Sequence, residues 1–310
     1  MKKLLVIVGP TGTNKTDLAI RLAKKFDGEI VSADSRQLYI GMDIGTGKFP
    51  ANVKLIRKEG FWVVGGVPVY LYDLITPDKT FSVAEYQQLA YKRIHEIQVR
   101  DKLPILVGGS GLYIRAVVQG LKVPQVEPDK RIRAKLDKKS LNSLLQELEQ
   151  VDPKIYLKID KYNKRRVIRA LEVYYKTGKP ISSMAKKYKP DFETLSIGLS
   201  ADREYLYKKA DDRIDSWFEQ GFVDEVESLL KKYKSTLSSM TSLGYRQVAA
   251  YLDKRISKEE AIKRIKFDHH GYIRRQLTWF KKEPAVIWFD IINPKYNKKI
   301  FVNVEKWKRE

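Results

Sequence analysis

The N-terminal part of the chain alternates between two hydrophobic patterns. In KKLLVIVG the apolar residues are consecutive, as in a short strand covered on both faces. The run breaks at Gly9-Pro10, and KTDLAIRLAKKF then spaces Leu18, Leu22 and Phe26 along one side of a helix. The alternation repeats. GEIVSAD reads as a strand that ends in the polar run Asp34-Ser35-Arg36-Gln37, and VPVYLYDL as a further strand. SVAEYQQLAYKRIHEIQV is a helix with Ser82 as N-cap and Glu85 three residues on, a capping box. LPILVGG is a strand and GLYIRAVVQGL a helix. Strands alternating with helices predict an α/β fold with a doubly wound parallel sheet.

The pattern changes near Gly120. KVPQVEPDK at 122–130 reads as a Pro-containing linker, and from there to Pro190 the spacing is helical with no strand. TLSIGLSA at 194–201 returns to the sheet, helices are expected over 203–220, 222–233 and 258–282, and AVIWFDI at 285–291 forms a late strand. The basic C-terminal tail carries no element. Residues 1–119 and 194–310 are therefore expected to form the α/β core, and 120–193 a helical insertion domain.

Charge alters this picture more than apolar content does. The 310 residues are 43% hydrophobic, ordinary for a globular protein, but 60 Lys and Arg face 38 Asp and Glu, a formal net charge of +22. An excess of this size suits a polyanionic partner, nucleic acid before an anionic membrane, although plain solubility is a bland alternative. The absence of cysteine excludes disulfides, Cys-type zinc fingers and thiol catalysis, and three histidines make a His-rich metal site a poor fit. The apolar run at Leu4–Gly9 is too short to cross a bilayer and lacks a signal-peptide cleavage pattern. A soluble, cytoplasmic monomer is expected.

VGPTGTNKTDLAI carries candidate chemistry. Gly9, Lys15 and Thr16 keep the G-x-x-x-x-G-K-[ST] spacing of a phosphate loop, through Pro10, Thr11, Gly12 and Thr13, with Asn14 where the second glycine belongs. Backbone N–H groups in such a turn, followed by a helix N-terminus, bind anions; the lysine neutralises the phosphate and the threonine hydroxyl can ligate Mg²⁺. Asn tolerates left-handed backbone angles better than other non-glycine residues, so the turn can still form. The motif alone leaves open which phosphate is held, and an ordinary strand–helix turn with a surface lysine is the bland alternative. Asp34 falls at the C-terminal end of a parallel strand, where open α/β sheets place ligands. A carboxylate there can act as a general base, or equally cap a helix or sit beside Mg²⁺.

Four further stretches carry a resemblance. In order they are VSADSRQLYIGMDIGTGK, LVGGSGLYIRAVVQGL, RRVIRALEVYYKTGKPIS, and the pair TSLGYRQVAAYL and RRQLTWFKK. Behind a phosphate loop they resemble the tRNA dimethylallyltransferase (tRNA isopentenyltransferase) family over nearly the whole chain. The resemblance implies a P-loop kinase-like core with a helical insertion. It implies transfer of a dimethylallyl group from dimethylallyl diphosphate to the exocyclic amine of the adenosine 3′-adjacent to the tRNA anticodon, with Mg²⁺ assisting. It gives Asp34 the base role, and Ser35, Arg36 and Gln37 contact with the adenosine. Lys15, Thr16 and Arg213 would stabilise the departing diphosphate, although Arg213 alone reads as a surface helical arginine paired with Asp211 or Asp212. Ser110 stands where the family usually has Thr, with the same hydroxyl for substrate.

The RNA side is less specific. NKRRVIRALEVYYK places Arg165, Arg166, Arg169 and Lys176 on a helix whose apolar stripe is Ile168, Leu171 and Tyr175. By pattern alone this basic stripe is as much a solvated face as a phosphate track; the resemblance implies contact with the tRNA anticodon stem-loop. The family usually has Asn-Asp where Tyr162-Asn163 stands. Gly244, Tyr245, Arg246 and Gln247 form a turn, and Arg274, Arg275, Gln276 and Trp279 interleave cations with an aromatic; stacking and polar contacts of this kind read single-stranded loops. Tyr245 and Trp279 are equally suited to the core. A target base must leave its stack to reach Asp34. Rival readings are an adenylate isopentenyltransferase acting on free AMP, ADP or ATP, a small-molecule kinase, and a non-enzymatic RNA-binding protein. The first does not need the insertion or the charge. The second fits Asn14 and the Asp34–Gln37 run less well, and the intact Lys15, Thr16 and Asp34 speak against the third.

Overall fold

The apolar runs become neighbouring strands. In the computed structural model, which describes residues 2–50, 53–121, 124, 126–184, 188, 190–283 and 285–310, the chain clusters into two compact units, Met1–Ile114 with Asp191–Glu310, and Arg115–Pro190. The expected linker at 122–130 falls partly outside the described residues. The first unit begins β1 (Lys3–Val8), α1 (Lys15–Phe26), β2 (Gly28–Ser32), β3 (Leu55–Lys58), β4 (Phe61–Val64), β5 (Val67–Tyr70), α2 (Val83–Val99) and β6 (Leu103–Gly108). α3 (Gly111–Val118) runs from the first unit into the second. The second unit continues with α4 (Lys130–Asp137), α5 (Leu141–Val151), α6 (Pro153–Tyr156), α7 (Lys164–Thr177) and α8 (Ile181–Met184). The chain then returns to the first unit with β7 (Glu193–Ser200), α9 (Arg203–Glu219), α10 (Phe222–Leu230), α11 (Tyr245–Leu252), α12 (Lys258–Phe280), β8 (Val286–Asp290) and α13 (Tyr296–Arg309).

The sheet has eight strands in the order β3-β4-β5-β2-β6-β1-β7-β8. From β5 to β8 each neighbouring pair is parallel, whereas β3, β4 and β5 form an antiparallel meander at one edge. The sheet is thus mixed, not wholly parallel as the alternation suggested. β1 has β6 on one side (Leu5↔Ile105) and β7 on the other (Val6↔Ser196), so the chain leaves β1 at a point where the strand order reverses. Ligands of open α/β sheets bind outside the carboxyl ends of the strands at such a point. The main core joins Leu5 and Ile7 of β1, Leu18 and Leu22 of α1, Ile105 of β6 and Ile197 of β7.

Besides the edge strands β3 and β4, two helices were not expected. α13 replaces a featureless tail: Ile300, Val304 and Trp307 recur at helical spacing and join the main core. Burial of each such side chain contributes about 1.5–3 kcal/mol, enough to hold a helix whose other faces are basic. α11 replaces the turn at Gly244–Gln247. Gly244 is its N-cap, and Tyr245 and Val248 pack with Phe222, Trp217 and Ile265 in a second cluster.

The second unit closes on its own core of Leu136, Leu144, Leu148, Val167, Ile168 and Leu171. A fully buried carboxylate lies beside it. Glu172 accepts from Arg133 Nε (2.8 Å), Arg133 Nη2 (3.0 Å), Arg169 Nη1 (2.6 Å) and the Asp129 backbone N–H (2.7 Å). Burial alone would push this carboxyl up, but the arginine and backbone hydrogen bonds prevail and hold it below the ordinary value. Arg169 also donates to the Val126 carbonyl (2.6 Å), so its guanidinium ties two segments of this unit together.

Glu172→Ala is expected to destabilise this unit by about 2 kcal/mol, since the carboxylate is buried while both arginines can turn to water. The folded carboxyl titrates below its unfolded value, so its stabilisation is full above the ordinary 4.5 and fades as the pH falls through the folded value. Denaturant melts of both proteins across that acid range should converge; parallel curves would exclude the role.

Candidate active site

Three strand ends place the candidate groups. β1 delivers the loop 9–14, β2 delivers Ala33 and Asp34, and β6 delivers Gly109 and Ser110. The last two are joined directly: Ala33 N–H donates to the Val107 carbonyl (2.7 Å) and Ser110 N–H to the Ala33 carbonyl (3.1 Å). Asn14 adopts the left-handed conformation at φ 54° and ψ 39°, the backbone that its side chain tolerates and that a loop of this spacing requires. Inside the loop Thr13 Oγ1 donates to the Pro10 carbonyl (2.8 Å). Lys15 Nζ donates to the same carbonyl (2.8 Å) and so lies folded back along the loop. Thr16 is half-buried in the first turn of α1.

Lys15, Asp34 and Arg213 act on one another electrostatically. Burial of the Lys15 ammonium, partly offset by Asp34 and reinforced by Arg213, lowers its pKa to about 7. Burial pushes the Asp34 carboxyl up, against the Arg36 N–H bond and the charges of Lys15, Arg36 and Arg213. Burial likewise lowers Arg213, against Asp34 and Asp17. Lys15, Asp34 and Arg213, each partly buried, therefore share one site near the ends of β1 and β2. Such a site attracts an anion and offers a base beside it.

The expected substrate-reading side chains turn out to be mutual supports. Asp34 Oδ1 accepts from the Arg36 N–H (3.0 Å), which fixes the carboxylate. Ser110 Oγ accepts from the Ser35 N–H (2.9 Å) and meets Ser35 Oγ (3.2 Å), so its hydroxyl holds the Asp34–Ser35 turn. Gln37 is buried: Oε1 accepts from Ser32 Oγ (2.7 Å) and Nε2 donates to the Gly47 carbonyl (3.1 Å). Arg36 is exposed and donates to the Ser238 carbonyl (3.1 Å).

Arg213 is aimed by the loop GMDIGTGK. Its Nη2 donates to the Gly47 carbonyl (3.3 Å), and a Cβ at Gly47 would lie 1.5 Å from that nitrogen, at a φ of 57°. Only glycine leaves room for the guanidinium. Two residues that spacing did not single out hold this loop. Lys48 is fully buried and donates to Asp43 Oδ1 (2.6 Å), to the Tyr39 carbonyl (2.7 Å) and to Asp73 Oδ1. The Glu225 carboxylate accepts from the N–H groups of Asp43 (3.0 Å) and Ile44 (2.8 Å) and from the Tyr245 hydroxyl (2.6 Å). Lysine and glutamate read as surface residues in a sequence, so only the unusual regularity of GMDIGTGK hinted at the first.

Several residues expected at RNA have partners within the fold. Tyr245 is fully buried and engaged with Glu225, and Gly244 caps α11, so neither presents a face to RNA. Gln276 is buried and hydrogen-bonded within the fold, and Arg169 is bound to Glu172. Arg246 remains exposed but pairs with Asp268, and Arg275 is exposed beside Tyr272. Arg165 and Arg166 are exposed on the first turn of α7, whose N-cap is Asn163.

Comparison with known proteins gives the chain its relatives. The family model described as IPP transferase matches residues 37–283. The tRNA dimethylallyltransferase of Halothermothrix orenii is 40% identical over 99% of this chain and 93% of its own length. That of Dehalococcoides mccartyi is 44% identical over 93% and 87%. The crystal structure of the tRNA isopentenylpyrophosphate transferase from Bacillus halodurans superposes with a TM-score of 0.71 at 35% identity, covering 99% of this chain and 96% of that one. With a family model spanning most of its length and relatives this similar end to end, the chain belongs to the IPP transferase family.

Proposed function

We propose that the protein transfers a dimethylallyl group from dimethylallyl diphosphate to the exocyclic amine of the adenosine 3′-adjacent to the tRNA anticodon, releasing diphosphate. The observation that carries this reading is the partly buried trio of Lys15, Asp34 and Arg213 beside a loop with phosphate-loop spacing and a left-handed Asn14. The family relationship supplies the substrates, since the relatives are named for dimethylallyl transfer to tRNA. Free adenylate as acceptor would leave the second unit, with exposed Arg165 and Arg166, without a purpose.

The chemistry follows from the residues. The adenosine amine attacks the allylic carbon as the carbon–oxygen bond to diphosphate breaks, and the amine proton passes to Asp34. Its pKa, raised by burial, makes the ionised carboxylate a better acceptor for that proton than a free one. Charge builds on the leaving oxygen, where Lys15, Arg213 and the loop N–H groups stabilise it more than they stabilise the ground state. In this reading the core is P-loop kinase-like, with β1, the loop and α1 as its phosphate-binding element. The donor set suits Mg²⁺ brought in on the diphosphate: Thr16 offers one hard oxygen, and among the described residues no cluster of three acidic or imidazole side chains forms a protein cage. When bound, the ion would neutralise charge on the leaving group. Among the described residues no helix is long and apolar enough to cross a membrane, in keeping with a protein that meets tRNA in the cytoplasm, here read as a monomer.

Asp34→Asn is expected to lower single-turnover prenyl transfer by about 10²–10⁴-fold while tRNA affinity stays near wild type. Transfer at near wild-type rate would remove Asp34 as the base. Arg165→Ala with Arg166→Ala should weaken tRNA binding and reduce the slope of log affinity against log salt by about one to two. A slope identical to wild type would show that this turn of α7 faces solvent in the complex.

A further inference from the structure

Gln276 has no part in the reaction just described, yet it sits between its two halves. It lies on α12, is 5% exposed, and its neighbours Arg274 and Arg275 point outward. Its Oε1 accepts from the Thr11 backbone N–H (2.9 Å) and from Thr11 Oγ1 (3.3 Å), inside the phosphate loop. Its Nε2 donates to the Gly109 carbonyl (3.1 Å), at the end of β6. The amide also reaches the hydroxyl of Tyr272, one turn earlier on the helix. The orientation of the amide is dictated by its partners. Thr11 offers a donor and Gly109 an acceptor, so a flipped amide would oppose like to like at both ends.

Gly109 is also the point where the amide approaches the base. A Cβ there would stand 2.4 Å from Gln276 Nε2 and 3.6 Å from Asp34 Oδ2. The next residue, Ser110, holds the Asp34–Ser35 turn through the Ser35 N–H (2.9 Å). A short chain of contacts thus runs from the phosphate loop through one carboxamide to the strand end beside Asp34. β1 and β6 are already hydrogen-bonded neighbours up to Val8 and Gly108, but beyond those residues the ladder ends and the loops separate. Gln276 bridges them where the ladder no longer does.

We propose that Gln276 is a positioning residue: its carboxamide fixes the spacing between the donor's phosphate loop and the general base, so that allylic carbon, amine and carboxylate align. The assignment rests on the prenyl-transfer reading. It also replaces the RNA contact that the sequence suggested at this position. Misplacement of reacting groups by about 1 Å can cost about 10²-fold in rate without loss of binding. A link of this kind should therefore act on the chemical step and spare affinity.

Two substitutions test it. Gln276→Leu keeps approximate bulk and loses both hydrogen bonds. Gln276→Glu keeps the acceptor for Thr11, but its ionised form meets the Gly109 carbonyl and Asp34 with like charge. When protonated, that carboxyl restores donor and acceptor together. Single-turnover rates at saturating donor and tRNA are expected to fall about 10–100-fold in Gln276→Leu, with the tRNA dissociation constant and its salt slope unchanged. Gln276→Glu should be similarly impaired in mildly alkaline buffer. Its rate relative to wild type at the same pH should recover as the pH is lowered and the buried carboxyl protonates. A purely structural role would give no such recovery at a temperature where the variant is folded. That pH series also decides the question if Gln276→Leu fails to fold. Rates equal to wild type, a relative rate of the glutamate variant independent of pH, or weakened tRNA binding with intact chemistry would each overturn the assignment. Wild-type protein that prenylates no tRNA would instead overturn the functional reading beneath it.

Discussion

The site depends on keeping Lys15, Asp34 and Arg213 together and partly withdrawn from water. Burying a charge is costly unless it is compensated, and here one carboxylate faces two cations. The imbalance is visible in Lys15, which burial brings to a pKa of about 7 despite the attraction of Asp34. An anion arriving between the cations relieves that cost. In the proposed reaction, diphosphate binding and leaving-group stabilisation would be the same interaction, strengthened as charge develops.

Much of the surrounding structure serves to hold those three groups still. Asp34 is fixed by the Arg36 N–H and by the Ser35–Ser110 pair. Arg213 is fixed by the Gly47 carbonyl, and that carbonyl by Gln37. The loop 41–48 in turn rests on the buried Lys48 with Asp43 and Asp73, and on Glu225. Lys48, Asp43 and Gln37 are buried with partners, as a low-dielectric network must be if it is to stiffen rather than weaken the fold. Loss of one partner would therefore act on catalysis through Arg213 as well as on stability.

The part of this visible in the sequence was the part carried by strong local patterns. β1, β2 and β6 are buried almost throughout and β7 over Ser196–Leu199, and the loop after β1 was legible down to Asn14, whose left-handed backbone is found at φ 54°. The meander of β3 and β4 was missed because Leu55–Lys58 is largely exposed and mixes apolar with basic residues. Its Gly65–Gly66 turn was the available signal. α13 was hidden by its lysines, although Ile300, Val304 and Trp307 recur at helical spacing. Asp34, Lys15 and Arg213 could be nominated, but the inward roles of Lys48, Glu225, Gln37 and Gln276 could not. Long polar side chains read as surface until the fold reveals which groups they meet, as Arg169 meets Glu172 and the Tyr245 hydroxyl meets Glu225.

The most direct test of the buried-charge account is the proton balance of donor binding. Titration calorimetry with dimethylallyl diphosphate at about pH 8, repeated in buffers of different ionisation enthalpy, measures the protons taken up per site. With a pKa of about 7, most free Lys15 is neutral at that pH, and the bound anion should recharge it. Net uptake approaching one proton is expected for the wild type, and much less for Lys15→Met, which subtracts any proton bound by the ligand itself. Tight binding by the wild type with no uptake beyond that of the variant would show that Lys15 was already charged, and would contradict the account.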